Sequence, residues 1–126
     1  MNMVISKADE KRLEQLFAEA IALRDLGNLR DTLAKLAEIL SEQTKFDAPV
    51  LGLMGNIYWD LNDFTKALEC YRKAVVIKPK SELASLGLFH TLWNLGKRDE
   101  AFDEMRRFLS ISSSEEYSRL LSEMNQ

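Results

Sequence analysis

Apolar residues recur along the chain at the three- and four-residue spacing that is typical of amphipathic helices. One series comprises Leu51, Met54, Ile57 and Tyr58, and a second runs from Phe64 to Val75. Asn62 and Asp63 separate the two series. Pro79 ends the second, because proline lacks the helical N–H and disfavours helix at the residue before it. The whole pattern predicts seven helices, at about 7–26, 29–43, 48–61, 64–78, 82–95, 98–110 and 114–124.

The chain repeats itself with a period of 34 residues. Shifted by that length, Trp59 falls on Trp93 and Ala67 falls on Ala101, while Leu61 and Ile77 fall on identical residues as well. Each period contains two predicted helices. A period of this size is the signature of repeats that stack on one another and bury a shared apolar face.

The residues of the middle period resemble a known repeat family. They follow the order Leu51-x2-Met54-Gly55-x2-Tyr58, then Ala67-x3-Tyr71, then Ala74 and Pro79. This order is similar to the tetratricopeptide pattern, W-x2-L-G-x2-Y … A-x3-F … P. The resemblance implies an all-α fold in which antiparallel helix-turn-helix repeats stack as a short right-handed superhelical solenoid of about seven helices.

We expect a single tetratricopeptide-like domain over residues 1–126. Repeat 1, about 13–46, is degenerate, with one extra residue before Ala48; repeat 2 spans about 48–81 and repeat 3 about 82–113. Repeat 3 departs from the pattern at Phe89, where the family prefers a small residue, at Phe108, and in lacking a final proline. A capping helix at about 114–124 completes the array, since a solenoid end needs a half-polar cover.

Sequence signals mark the ends of the first and last helices. Ser6 is a candidate N-cap for the first helix. Ser113 and Glu116 have the spacing of a capping box for the last. Its apolar stripe comprises Tyr117, Leu120, Leu121 and Met124.

The resemblance also implies a binding surface, because in this family the first helix of each pair lines a concave groove. The matching positions in the second repeat are Pro49, Gly52, Asn56, Trp59 and Asp60, and in the third repeat Leu83, Leu86, His90, Trp93 and Asn94. In the first repeat they are Glu14, Phe17, Ile21, Arg24 and Asp25. From these we predict a partner-binding site of Asn56, Trp59, Asp60, Leu86, His90, Trp93 and Asn94.

Trp59 and Trp93 carry most weight in this prediction, because tryptophan often dominates binding energy. The alternative is that both only stiffen the stack. Of the lysine, arginine and asparagine positions with which some family members hold a carboxylate tail, only Asn56 has a clear counterpart. A hydrophobic segment or helix therefore suits the groove better than an acidic tail.

Composition argues against several classes of partner and activity. The net charge of −3 and the pI of about 5.2 argue against a nucleic-acid partner. Cys70 is the only cysteine and His90 the only histidine, so no metal site, cofactor site or catalytic dyad is expected, and the chain is not expected to be an enzyme. Without a signal peptide or a membrane-spanning stretch, we expect a cytoplasmic protein with no membrane partner.

Three functional hypotheses follow. The leading one is an adaptor or scaffold that binds a peptide or helical segment of another protein in the groove. The second is a dedicated neutralising protein, such as a bacterial immunity protein or a secretion chaperone that masks a toxin or effector. The third is self-association into a homodimer. The basic pairs Arg72-Lys73 and Arg106-Arg107 leave the convex face as a competing working surface.

Overall fold

The computed structural model describes residues 5–41 and 44–125, and this part of the chain contains seven α-helices and no strand. The all-α prediction is confirmed. Six predicted helices end within one residue of the observed ends; α2 ends earlier, and positions 42 and 43 of its predicted span lie outside the described residues. The helices are α1 (Lys7–Asp25), α2 (Leu29–Leu40), α3 (Asp47–Asp60), α4 (Phe64–Ile77), α5 (Glu82–Asn94), α6 (Arg98–Ile111) and α7 (Glu115–Met124).

The turn within each helix pair has the same geometry three times. Gly27, Asn62 and Gly96 have positive φ angles of 80°, 61° and 78°. The next residue's N–H then donates back to a carbonyl inside the helix, as from Asp63 to Tyr58 at 2.8 Å. Glycine and asparagine tolerate this left-handed conformation best, so the chain reverses direction at these residues. Gly27 precedes Asn62 by one residue more than Asn62 precedes Gly96, which agrees with the extra residue expected in repeat 1.

Side-chain caps fix the starts of several helices. The Ser6 hydroxyl accepts from the N–H of Asp9, so the predicted cap of α1 is confirmed. The predicted capping box at the last helix is wrong. Ser114, not Ser113, is the N-cap of α7, and its hydroxyl accepts from the N–H of Tyr117 at 3.1 Å. The shift by one residue is possible because both positions are serine.

Two connected apolar clusters form the core. The first joins α1, α2 and α3 through residues such as Leu13, Leu36 and Ile57. The second joins α3 to α7 and includes Phe89 and Phe108. Leu40 and Met54 pack against both clusters, so the core is continuous along the stack. Ala67 and Ala101 are fully buried, which lets paired helices approach closely.

A buried polar network fastens α7 to the rest of the stack. The Ser85 hydroxyl lies 2.6 Å from the Glu104 carboxylate, to which it donates, and 2.7 Å from the Tyr117 hydroxyl. Arg107 donates to Glu104 through two nitrogens and to the carbonyl of Pro79. Burial raises the pKa of Tyr117 to about 12. Of the predicted α7 stripe, Tyr117 is fully buried, Leu120 is half-buried, and Leu121 and Met124 lie near the surface.

None of the helices in the described part of the chain is both long enough and apolar enough to cross a bilayer.

Candidate functional site

The first helices of the three pairs, α1, α3 and α5, line a cleft of about 370 Å³, here named the apolar cleft. Its walls bring together groove positions from all three repeats, and Leu83 at its edge is 82% exposed. The lining residues used below are Phe17, Ile21, Arg24, Pro49, Gly52 and Leu83.

A second cleft, of about 350 Å³, lies beside the apolar cleft and is here named the polar cleft. It is lined by Asn56, Trp59 and Asp60 of α3, by Gly87 and His90 of α5, and by Tyr71 of α4. Asn56 and Tyr71 line both clefts, so the two form one surface. The structure therefore brings four of the predicted site residues together in one depression: Asn56, Trp59, Asp60 and His90.

Tyr71 reaches this surface by passing between two glycines. A Cβ at Gly55 would lie 2.7 Å from the Tyr71 Cζ atom, and one at Gly87 would lie 2.6 Å from the same atom. The phenol hydroxyl donates to the Asn56 side-chain oxygen. Burial, with a smaller contribution from the charge of Asp60, raises the pKa of Tyr71. Gly55 belongs to the repeat pattern of the sequence, whereas no sequence pattern singled out Gly87.

The two tryptophans are both half-buried but have different surroundings. Trp59 lines the polar cleft and meets the edge of Phe64 at a centroid distance of 4.9 Å. Trp93 lines neither cleft. It stacks on Phe89 and meets Phe102 edge-on, and the Arg98 guanidinium lies 4.8 Å from its ring centre. Trp93 therefore makes more contacts with side chains of its own chain than Trp59 does.

The remaining predicted site residues lie outside both clefts. Leu86 is half-buried against the core, and Asn94 is exposed at the end of α5. The complete seven-residue site thus stays a prediction.

His90 extends the polar cleft toward α7. Desolvation lowers the pKa of His90, and the positive charge of Arg119 adds to this effect, while the negative charge of Glu116 opposes it. Because Glu116 and Arg119 pair with each other, they offset one another at His90. The lowered pKa favours the neutral imidazole, in which one nitrogen can accept a hydrogen bond.

The arginines of the predicted convex face already form ion pairs within the chain. Arg72 pairs with Glu100, Arg106 with Asp103, and Arg107 with the buried Glu104. An exposed arginine that already has a carboxylate partner gains less from a further acidic partner. The Cys70 thiol is buried in α4, and burial raises its pKa, so it lacks the exposed electropositive setting of a reactive thiol. Among residues 5–41 and 44–125, no three His, Cys, Asp or Glu side chains are grouped to hold a metal ion.

Comparison with known proteins agrees with this architecture. A sequence model of the tetratricopeptide repeat matches residues 48–81. A TPR repeat-containing protein of Methanocaldococcus jannaschii is 36% identical over 64 residues, which are 51% of this chain and 20% of that protein. The match thus covers only a fifth of the archaeal protein's length. Residues 48–81 of this chain are thus similar to a tetratricopeptide repeat.

Solved structures show the same fold. MamA matches with a TM-score of 0.69 and 19% identity, over 84% of this chain and 61% of MamA. The type III secretion chaperone SycD of Yersinia enterocolitica, in complex with a peptide of the translocator YopD, matches with a TM-score of 0.75 and 16% identity. That match covers 95% of this chain and 92% of SycD. At these identities the likeness concerns the helical stack.

Proposed function

We propose that the chain binds a segment of another protein in the groove formed by the apolar and polar clefts. The observation that carries this proposal is the apolar cleft itself, which is lined by residues of all three repeats, among them Phe17, Pro49 and Leu83. A helix or an extended peptide that inserts apolar side chains there would bury surface that the free protein leaves in water.

The predicted site residues complete this surface on one side. Asn56, Trp59, Asp60 and His90 supply an aromatic ring and hydrogen-bonding groups beside the apolar cleft. We keep Leu86, Trp93 and Asn94 in the predicted site as a continuation of the groove along α5. In this proposal the protein is an adaptor that holds its partner and performs no chemistry on it.

The second candidate is a dedicated chaperone or neutralising protein. The match to SycD favours it, because the helical stack aligns over 92% of the crystallised SycD chain, which was solved in complex with a peptide of the translocator YopD. Quantitative co-purification from the native cell separates the two roles. A neutralising protein would have one stoichiometric partner, whereas an adaptor would have several. A cytoplasmic location and a homodimer remain predictions.

A peptide selection tests the groove proposal and does not require the natural partner. Random peptides displayed on phage are selected on the wild-type protein, and the dissociation constants of the winners are measured. Leu83→Glu is the test variant and Val76→Glu the matched control. Leu83 and Val76 are 82% and 80% exposed, and Val76 lies on α4, outside both groove clefts.

We expect Leu83→Glu to weaken the selected peptides by about tenfold, which corresponds to loss of part of one buried leucine. Val76→Glu introduces the same charge at a position outside the groove and should have little effect. Circular dichroism of both variants verifies that they fold. If Val76→Glu abolishes binding while Leu83→Glu does not, the convex face is the working surface and the groove proposal is wrong.

A further inference from the structure

The carboxylate of Asp60 places a negative charge in the polar cleft. Among the described residues, no lysine or arginine nitrogen lies within ion-pair distance of Asp60. Asp60 is also the last residue of α3, where the helix dipole is negative, and the last turn of α3 contains no basic residue. An acidic side chain is electrostatically unfavourable there, so a bound cation would be stabilised by both the carboxylate and the dipole.

Trp59 supplies an aromatic surface in the same cleft. The equivalent residue one repeat later, Trp93, already has the guanidinium of Arg98 at 4.8 Å from its ring centre. At the position equivalent to Arg98, repeat 2 has Phe64, which meets Trp59 edge-on. In the described part of the chain no cation is stacked on Trp59. Repeat 2 thus places a phenyl ring against its tryptophan where repeat 3 places a cation, and Trp59 lines the polar cleft without a cation from the described residues.

The other walls of the cleft offer acceptors as well. His90 lines this cleft and in its neutral form has one nitrogen that accepts a hydrogen bond, and the Asn56 oxygen has a lone pair beyond the one that Tyr71 uses. The nearest charges on α7, Glu116 and Arg119, pair with each other. Arg24, on the apolar side of the groove, lies 3.3 Å from Asp25. Within residues 5–41 and 44–125, Asp60 is therefore a charged residue of the polar cleft without an ion-pair partner.

We propose that the polar cleft is a subsite for an arginine side chain of the bound segment. The proposal rests on the groove function and specifies the partner further: apolar side chains enter the apolar cleft, and an adjacent arginine places its guanidinium between Trp59 and Asp60. A planar guanidinium suits this pair better than an ammonium does, because it stacks on an indole and donates two parallel hydrogen bonds to a carboxylate.

A single-residue probe tests the subsite directly. N-acetyl-arginine methylamide is titrated into the isotope-labelled protein, and the Trp59 indole N–H is followed by nuclear magnetic resonance. The signal is assigned with Trp59→Phe, since the chain has only two tryptophans. N-acetyl-citrulline methylamide, which has nearly the same shape and no charge, is the ligand control. We expect the arginine probe to bind roughly five- to tenfold more tightly than the citrulline probe.

Two variants locate the charge that is responsible. Asp60→Asn introduces the residue type that repeat 3 has at the equivalent position, Asn94, and should reduce arginine binding to the citrulline level. Glu69→Gln removes one negative charge from the exposed side of α4 and should leave binding unchanged.

Three results would overturn the proposal. They are equal binding of the two probes, equal arginine binding by the two variants, and a response at the Trp93 indole in place of Trp59. Because the probe is a single residue, this titration succeeds or fails independently of the peptide selection. A failed titration with a successful selection removes the arginine subsite and leaves the groove function intact.

Discussion

The packing of Tyr71 between Gly55 and Gly87 makes the stability of the stack sensitive to a single methyl group. We expect Gly87→Ala to destabilise the protein. The added Cβ would lie 2.6 Å from two atoms of the phenol ring, closer than real Cβ atoms approach. The ring also packs against Gly55, where a Cβ would lie 2.7 Å from the Tyr71 Cζ atom, so a shift of the ring would disturb that contact as well.

Gly52→Ala is the matched control, because Gly52 also lies inside a helix but a Cβ there meets nothing within 4 Å. Alanine is a better helix former than glycine by about 1 kcal/mol, and this gain applies to both variants. Overpacking typically costs about 1–3 kcal/mol and applies to Gly87→Ala alone. We therefore expect Gly52→Ala to be stabilised by up to about 1 kcal/mol and Gly87→Ala to be about 1–3 kcal/mol less stable than Gly52→Ala.

Thermal and urea unfolding, followed by circular dichroism, measure this difference. For a chain of this size, 1 kcal/mol shifts the melting temperature by roughly 3–5 °C. Tyr71→Leu provides a second arm: with the ring removed, adding Gly87→Ala should cost much less than it does in the wild type. If Gly87→Ala proves as stable as Gly52→Ala, the ring does not pack between α3 and α5 as described.

Two further predictions concern α7 and the thiol. Removal of residues 114–126 takes away the ring of Tyr117, which contacts Phe89 and Phe108, so the truncated chain should self-associate in light scattering. Tyr117→Phe keeps the ring and should stay monomeric. A truncated chain that is monomeric and equally stable would contradict the capping role. Burial raises the pKa of Cys70, so the thiol should resist an aromatic disulfide reagent until the protein unfolds. Its contribution to the free energy of unfolding should be constant at neutral pH and should decline as pH rises above about 8.5, because the thiol of the unfolded chain ionises first. Rapid labelling of the folded protein would show that the thiol is accessible.

The fold was predictable because each local signal agreed with the period of the chain. Asn62 and Asp63 mark a turn by themselves, and Trp59 and Trp93 fix the register that transfers the turn to Gly96. The N-terminal boundary of α7 was not predictable to the residue. Ser113 and Ser114 are chemically identical caps, and only the burial of Tyr117 against Ser85 decides between them.

The site was predictable where it depends on position within a repeat, and not where it depends on distances between helices. Asn56, Trp59, Asp60 and His90 lie at family groove positions on adjacent helices, so stacking brings them together. The path of Tyr71 could not be inferred, because it requires α3 and α5 to be close enough for two glycines to face one ring.

The phenylalanine at position 89 explains why the second tryptophan differs from the first. Phe89 occupies in repeat 3 the position that Gly55 has in repeat 2, and its ring stacks on Trp93. The sequence showed the departure from the family pattern but not its effect on the neighbouring indole.

The hydrogen bonds among Ser85, Glu104 and Tyr117 also determine how α7 is aligned. An apolar interface alone tolerates sliding by one turn, because leucine and methionine pack adequately in several alignments. Here a slide would withdraw the phenol hydroxyl and put an aliphatic group against a desolvated serine and carboxylate, at the cost of an unsatisfied buried group. A helix from another protein that competed for this position would have to bring a hydroxyl at the same depth. The surface formed by Ser85 and Glu104 thus favours α7 over a helix that offers apolar side chains alone.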